Sequence, residues 1–167
     1  MYLKKRKPIW RLALMLLVLL GSGFGLYQTW ATGNEYPIYL PFVQQSVPFA
    51  KTENSPLYLQ NATNEAGCDW MGVGGEILNA SGQPILDEGF LVHVWGSGID
   101  VHVTSGSQPV YGPNGWEVYL FNTPVQNAYY IQLKTPDQVS LSAVYQFESR
   151  SSCNQNLILF NFIENNP

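Results

Sequence analysis

The chain has 167 residues, 46% hydrophobic and 12% charged, with a formal net charge of −4. Five of its eight basic residues, Lys4, Lys5, Arg6, Lys7 and Arg11, precede position 12, so the remainder sets three cations against twelve acids, or −9. That balance argues against nucleic acid and against anionic membrane surfaces as partners, since both are recognised by clustered positive charge.

The basic start is followed by an apolar run from Leu12 to Leu20 that continues weakly to Trp30, with small residues at Thr29 and Ala31. This is the layout of a secretory signal cut after Ala31. An uncleaved anchor is the alternative, because Leu12 to Trp30 is 19 residues, close to the roughly 20 that span a bilayer. Gly21, Gly23 and Gly25 weaken the second half of that helix. Either way the basic end stays in the cytoplasm and the rest lies outside. The expected location is extracellular or at the cell surface, with the membrane touched only through residues 1–31.

Residues 32–67 show no sustained period, and Pro37, Pro41, Pro48 and Pro56 recur among Gln, Asn, Thr and Ser. This reads as an extended linker, with one apolar patch at Ile38–Val43. From Cys68 to residue 167 the pattern changes to period two. Expected strands run over Trp70–Ile77, Phe90–Trp95, Ile99–Thr104, Trp116–Phe121, Tyr129–Leu133, Val139–Phe147 and Leu157–Ile163, with turn residues between them. Short runs of this kind predict an all-β domain, a seven-stranded antiparallel β-sandwich of immunoglobulin-like type. Cys68 precedes the first strand and Cys153 the last. An even count of cysteines in an exported chain predicts one disulfide between them. Neither belongs to a Cys-x-x-Cys pair, so zinc has no thiolate ligand spacing here.

Gly74-Gly75-Glu76-Ile77-Leu78-Asn79, continuing through Gly82-Gln83-Pro84-Ile85, resembles the opening of carboxypeptidase-regulatory-like domains: a strand, an Asn-x-x-Gly-x-Pro turn and a second strand. The resemblance covers about 30 residues and implies a prealbumin-like sandwich that serves as an accessory module. The stretch Leu86-Asp87-Glu88-Gly89 departs from it as a long acidic insert. The segment from Tyr39 to Val43 ahead of such a domain is also similar to exported bacterial proteins without assigned activity.

Three groups of residues bear on function. If Ser97-Gly98 makes a two-residue turn, His93 faces His102 and Trp95 faces Asp100, while Val92, Val94, Val101 and Val103 share the opposite face. Two imidazoles in such a pair, with Asp100 diagonal, are the only residues placed to share a metal; a solvated sheet face without metal is the expectation. Trp95, Trp116 and Tyr119 are candidate ligand-binding rings, since flat aromatic faces stack on sugars. Asn61 and Asn79 begin glycosylation-type tripeptides. No Gly-x-Ser-x-Gly, His-Glu-x-x-His, calcium-loop or phosphate-loop pattern occurs. Glu76, Asp87, Glu88 and Glu117 could pair as carboxylates only around a cleft that a lone sandwich of this size seldom builds. The sequence therefore predicts no catalytic residues, no cofactor, and a protein or polysaccharide partner for an adhesive, scaffolding or envelope role. A carbohydrate-binding module is the alternative.

Overall fold

The computed structural model describes residues 46–86 and 89–165. The leader at 1–31, the apolar patch at Ile38–Val43 and the acidic pair Asp87-Glu88 lie outside the described residues. Within them the chain is all-β, with strands paired mainly antiparallel and helical turns only at Pro109–Tyr111 and Cys153–Gln155. The strands are β1 (Phe49–Lys51), β2 (Leu57–Leu59), β3 (Met71–Gly75), β4 (Ile77–Leu78), β5 (Leu91–Gly96), β6 (Ile99–Thr104), β7 (Trp116–Phe121), β8 (Ala128–Lys134), β9 (Tyr145–Glu148), β10 (Leu157–Leu159) and β11 (Phe162–Glu164).

They form sheets of order β2-β10-β3-β7, β1-β11-β4 and β6-β5-β8-β9. Alternation explains the layers. Val73, Val118 and Ile158 from the first sheet and Val92, Ile131 and Phe147 from the last are buried in one apolar cluster, completed by Trp116, Phe160 and Phe162. Each side chain of that size removed from water contributes roughly 1.5–3 kcal/mol. The arrangement is sandwich-like.

Four differences from the sequence reading have physical causes. First, residues 49–51 and 57–59, expected within a linker, pair with β11 and β10. Second, the sheets are not purely antiparallel: β3 runs parallel to β10, and β4 parallel to β11. Neighbours drawn from opposite ends of the domain are free of the hairpin constraint that imposes antiparallel pairing.

Third, the first and last expected strands are each broken, at Glu76 and around Asn161. There the Asn161 side-chain oxygen accepts the Glu76 N–H at 2.9 Å, a place where a strand would offer a carbonyl. Backbone bonds from Phe160 N–H to the Gly74 carbonyl and from Phe162 N–H to that of Glu76 resume the ladder on both sides. Fourth, the strand expected from Val139 begins only at Tyr145. Ahead of it, the Leu133 N–H is taken by the Ser142 hydroxyl at 2.9 Å rather than by a strand carbonyl.

Cys68 and Cys153 are joined, and no described cysteine is free. The bridge stands four residues before Gly72 and four before Leu157, the first register pair of β3 and β10, so it ties off the parallel seam. Beside it, buried Asn156 accepts the Asn61 N–H at 2.8 Å and donates to the Gly67 and Trp70 carbonyls at 2.7 Å. The Asn79 turn is built as the sequence predicts. Its side-chain oxygen accepts the N–H groups of Ser81 and Gln83 at 2.9 and 3.0 Å, and Gly82 takes the positive φ of +76° that favours glycine.

Candidate functional site: two outer sheet faces

The hairpin β5–β6 turns on Ser97 and Gly98, whose φ angles of 46° and 90° are those of a type I′ turn. The register follows: Val94 faces Val101, Val92 faces Val103, His93 faces His102 and Trp95 faces Asp100. Adding β8 sets Gln132 beside His93, Tyr130 beside Trp95 and Lys134 beside Leu91. The apolar set points to the core, so His93, Trp95, Asp100, His102, Tyr130 and Gln132 share the outer face.

On that face the rings lean on one another. His93 and His102 stack with centroids 3.9 Å apart and planes 9° from parallel. Trp95 stacks on His93 at 4.3 Å, and Tyr130 on Trp95 at 5.7 Å. His93 Nε2 meets Asp100 Oδ1 at 2.7 Å, with the His93 side chain 15% exposed and that of Asp100 74% exposed. The other nitrogen of His93, Nδ1, is buried without a partner. Partial loss of water lowers the pKa of His102 below the usual imidazole value. His93 and Lys134 push it the same way, and Asp100 opposes them. Imidazole nitrogens and a carboxylate oxygen can hold a cation or a proton. His93 and Trp95, inside the stack, cannot offer their faces to a flat ligand, because those faces are already used by their neighbours.

The outer face of the β2-β10-β3-β7 sheet is built differently. Gly72 and Gly74 face outward from β3, and rings from outside the sheet lie over them. A Cβ at Gly72 would collide with the Trp70 ring, and one at Gly74 would come within 2.5 Å of the Tyr111 ring. The Tyr111 hydroxyl donates to Glu117 Oε2 at 2.6 Å, and the Thr63 hydroxyl reaches the same oxygen at 3.3 Å. Burial and the bond to Glu117 push the Tyr111 hydroxyl above the ordinary phenol range. Trp70 and Leu157 are buried here, outside the main cluster, and Leu57, Leu59, Tyr119 and Phe121 flank them exposed. Both faces of this sheet therefore carry large apolar side chains, the outer one interrupted by the polar cluster at Glu117.

The three candidate ligand-binding rings do not meet. Trp116 is 0% exposed and belongs to the core, which corrects its reading as a surface ring. Tyr119 is 53% exposed on the glycine-bearing sheet, and Trp95 is half-buried on the other. Sequence reasoning missed the glycine-bearing face. Its signal was present: two glycines at i and i+2 on one strand leave a flat strip that an aromatic ring fills. Asn61 is buried, its side-chain oxygen accepting from Thr63 N–H and Oγ1 at 3.0 Å. A glycan has no room there. A hollow of about 260 Å³ is lined by Ser46, Val47, Pro48, Val139 and Ser140, with no titratable side chain among them. No family model, curated protein or solved structure matches the chain.

Proposed function

We propose that the chain is an exported, non-catalytic accessory module whose role is adhesion, scaffolding or envelope architecture, exercised through protein contact at the outer face of the β2-β10-β3-β7 sheet. The observation that carries this reading is two pairs of exposed apolar side chains, Leu57 and Leu59 on one edge strand and Tyr119 and Phe121 on the other, flanking the rings that cover the glycines. Exposed apolar side chains gathered on one sheet face mark protein interaction sites. The Cys68–Cys153 bridge supports an oxidising destination, and the basic leader supplies the route to it. The Asn79 turn supports the carboxypeptidase-regulatory-like resemblance at the residues that suggested it.

A second copy of the chain is the occupant to test first. The part of the chain after the basic leader carries −9 (3 minus 12) and repels its counterpart in a second copy, so apolar association through it strengthens as salt screens the repulsion. Sedimentation of the full chain at rising salt should show a dimer or larger species, and Leu59→Lys with Tyr119→Lys should return it to monomer. A wild-type monomer at every salt concentration that is retained on insoluble polysaccharide would reject this reading in favour of the carbohydrate-binding alternative. That alternative now has less behind it: Trp116 is in the core, Trp95 is stacked on its neighbours, and Tyr119 stands alone.

A further inference from the structure

The sequence contains two histidines, and the fold brings both to one place, as a cross-strand pair with a carboxylate attached. We propose that His93, His102 and Asp100 form a binding site for a divalent transition-metal ion of the Zn²⁺ or Cu²⁺ class on the outer face of the β6-β5-β8-β9 sheet. This goes beyond the proposed protein contact and uses the opposite sheet.

The geometry carries the proposal. One ligand atom from each residue lies within 4.8 Å of the others. Donors held tetrahedrally at about 2.1 Å from zinc stand about 3.4 Å apart. His93 Nε2 and Asp100 Oδ1, at 2.7 Å, need only part slightly to reach that span, and the adjustment falls on the exposed side chains of Asp100 and His102, the latter rotating off its stack. His93 is the fixed member. Its ring is held between Trp95 and His102, and its Nδ1 is buried, so Nε2 is the nitrogen turned toward Asp100 and solvent. The backbone beneath is rigid for a physical reason: the type I′ turn and four inward valines fix the register, and a slip of one residue would send both histidines into the core.

The donor set also selects the ion. Two imidazoles and one carboxylate suit Zn²⁺, Cu²⁺ or Ni²⁺, with water completing the shell. Ca²⁺ and Mg²⁺ require more oxygen ligands than this face offers. Both cysteines are oxidised, so no thiolate competes for a soft ion.

The test uses the full chain in mild detergent, purified without a polyhistidine tag and stripped with chelator, then titrated with Zn²⁺, Cu²⁺ or Ca²⁺ by calorimetry. One equivalent of Zn²⁺ should bind, Cu²⁺ more tightly and Ca²⁺ not at all. The electron paramagnetic resonance spectrum of the Cu²⁺ form should show two coordinating nitrogens. His102→Ala should weaken Zn²⁺ binding by about 100-fold and Asp100→Asn by about 10-fold. Both residues are exposed, so unchanged circular dichroism keeps those results interpretable even if a His93 variant fails to fold. Absence of Zn²⁺ binding at about 0.1 mM free ion, an affinity unaltered by His102→Ala, or equal binding of Ca²⁺ would each overturn the proposal. Loss of the Leu59 and Tyr119 side chains should leave metal binding intact, which separates this inference from the proposed docking face.

Discussion

The two outer faces solve one problem in opposite ways. On the β6-β5-β8-β9 sheet, the outward side chains stand on their own strands and lean together, His102 on His93, His93 on Trp95 and Trp95 on Tyr130. On the β2-β10-β3-β7 sheet, β3 withdraws its outward side chains at Gly72 and Gly74, and the Trp70 ring from just ahead of the strand and the Tyr111 ring from a distant turn are laid over the bare backbone. The first face is made by local pairing and keeps polar atoms at the surface. The second is mainly apolar, with the Tyr111 hydroxyl brought from a distant turn onto the Glu117 carboxylate. Alternation decides which residues leave the core; it does not decide what covers them afterwards.

That contrast can be broken at graded cost. Reducing Cys68–Cys153 should have the largest effect, because the bridge closes 85 residues of chain beside the parallel seam. A loss of about 4–5 kcal/mol in denaturant stability is expected from chain entropy, and hydrogen exchange should report it first in β3 and β10, leaving the β5–β6 hairpin protected longer. Equal loss of protection in both sheets would show that the faces are not independent. Next, Gly72→Ala drives a methyl into the Trp70 ring and should cost about 1–3 kcal/mol. On the self-supporting face, His102→Ala should stay within about 0.5 kcal/mol of wild type. A thermal melt of the two variants side by side sets the ratio, and a large loss in His102→Ala would reverse the comparison.

Tyr111→Phe should cost about 1.5–3 kcal/mol by removing a hydrogen bond to a charged group, and Glu117→Gln combined with it should add less than its separate effect. Additive losses would mean that the Tyr111–Glu117 bond of 2.6 Å contributes nothing as a pair.

Smallest of all is the response to pH, where the two faces pull in opposite directions. Burial raises the pKa of Glu76, which packs against Gly112, above the ordinary carboxyl value of 4.5. A raised folded-state pKa gives stability that is present below pH 4.5 and is lost as pH rises through the folded value. His102 is shifted down from 6.5, so its folded form resists the proton that the unfolded chain accepts. Its contribution is full above pH 6.5 and declines as pH falls toward the lowered value. Glu76→Gln should remove the first slope and His102→Ala the second, as read from denaturation midpoints across pH 4 to 8.

The legible parts of the fold were those written in neighbouring residues. The hairpin register followed from four valines and a Ser-Gly turn, and the Asn79 turn from its own six residues. The disulfide followed from counting. What could not be read depends on distant chain. β1 and β2 are three residues each, set among prolines, and become strands only because β11 and β10 lie alongside them. Trp116 was misplaced for a different reason. Trp116, Val118 and Leu120 alternate with Glu117, Tyr119 and Phe121, so both faces of β7 carry aromatic or apolar side chains and the sequence alone does not say which set is buried. The same two-sided apolarity concealed the glycine-bearing face. The metal-binding constellation was visible as residue types at a register, while the direct His93–Asp100 approach needed the twist of the folded hairpin.

The seam has a consequence for assembly. β10 lies between β2 and β3, and β11 between β1 and β4, so the last strands made are wedged between strands made early. Until they arrive, the body formed by β1 to β9 presents an open slot with unsatisfied backbone groups on both walls. A chain ending before β10 should hold that slot open, and a separate peptide spanning residues 156–165 should enter it and restore the fold, turning a single-chain protein into one reconstituted from two pieces.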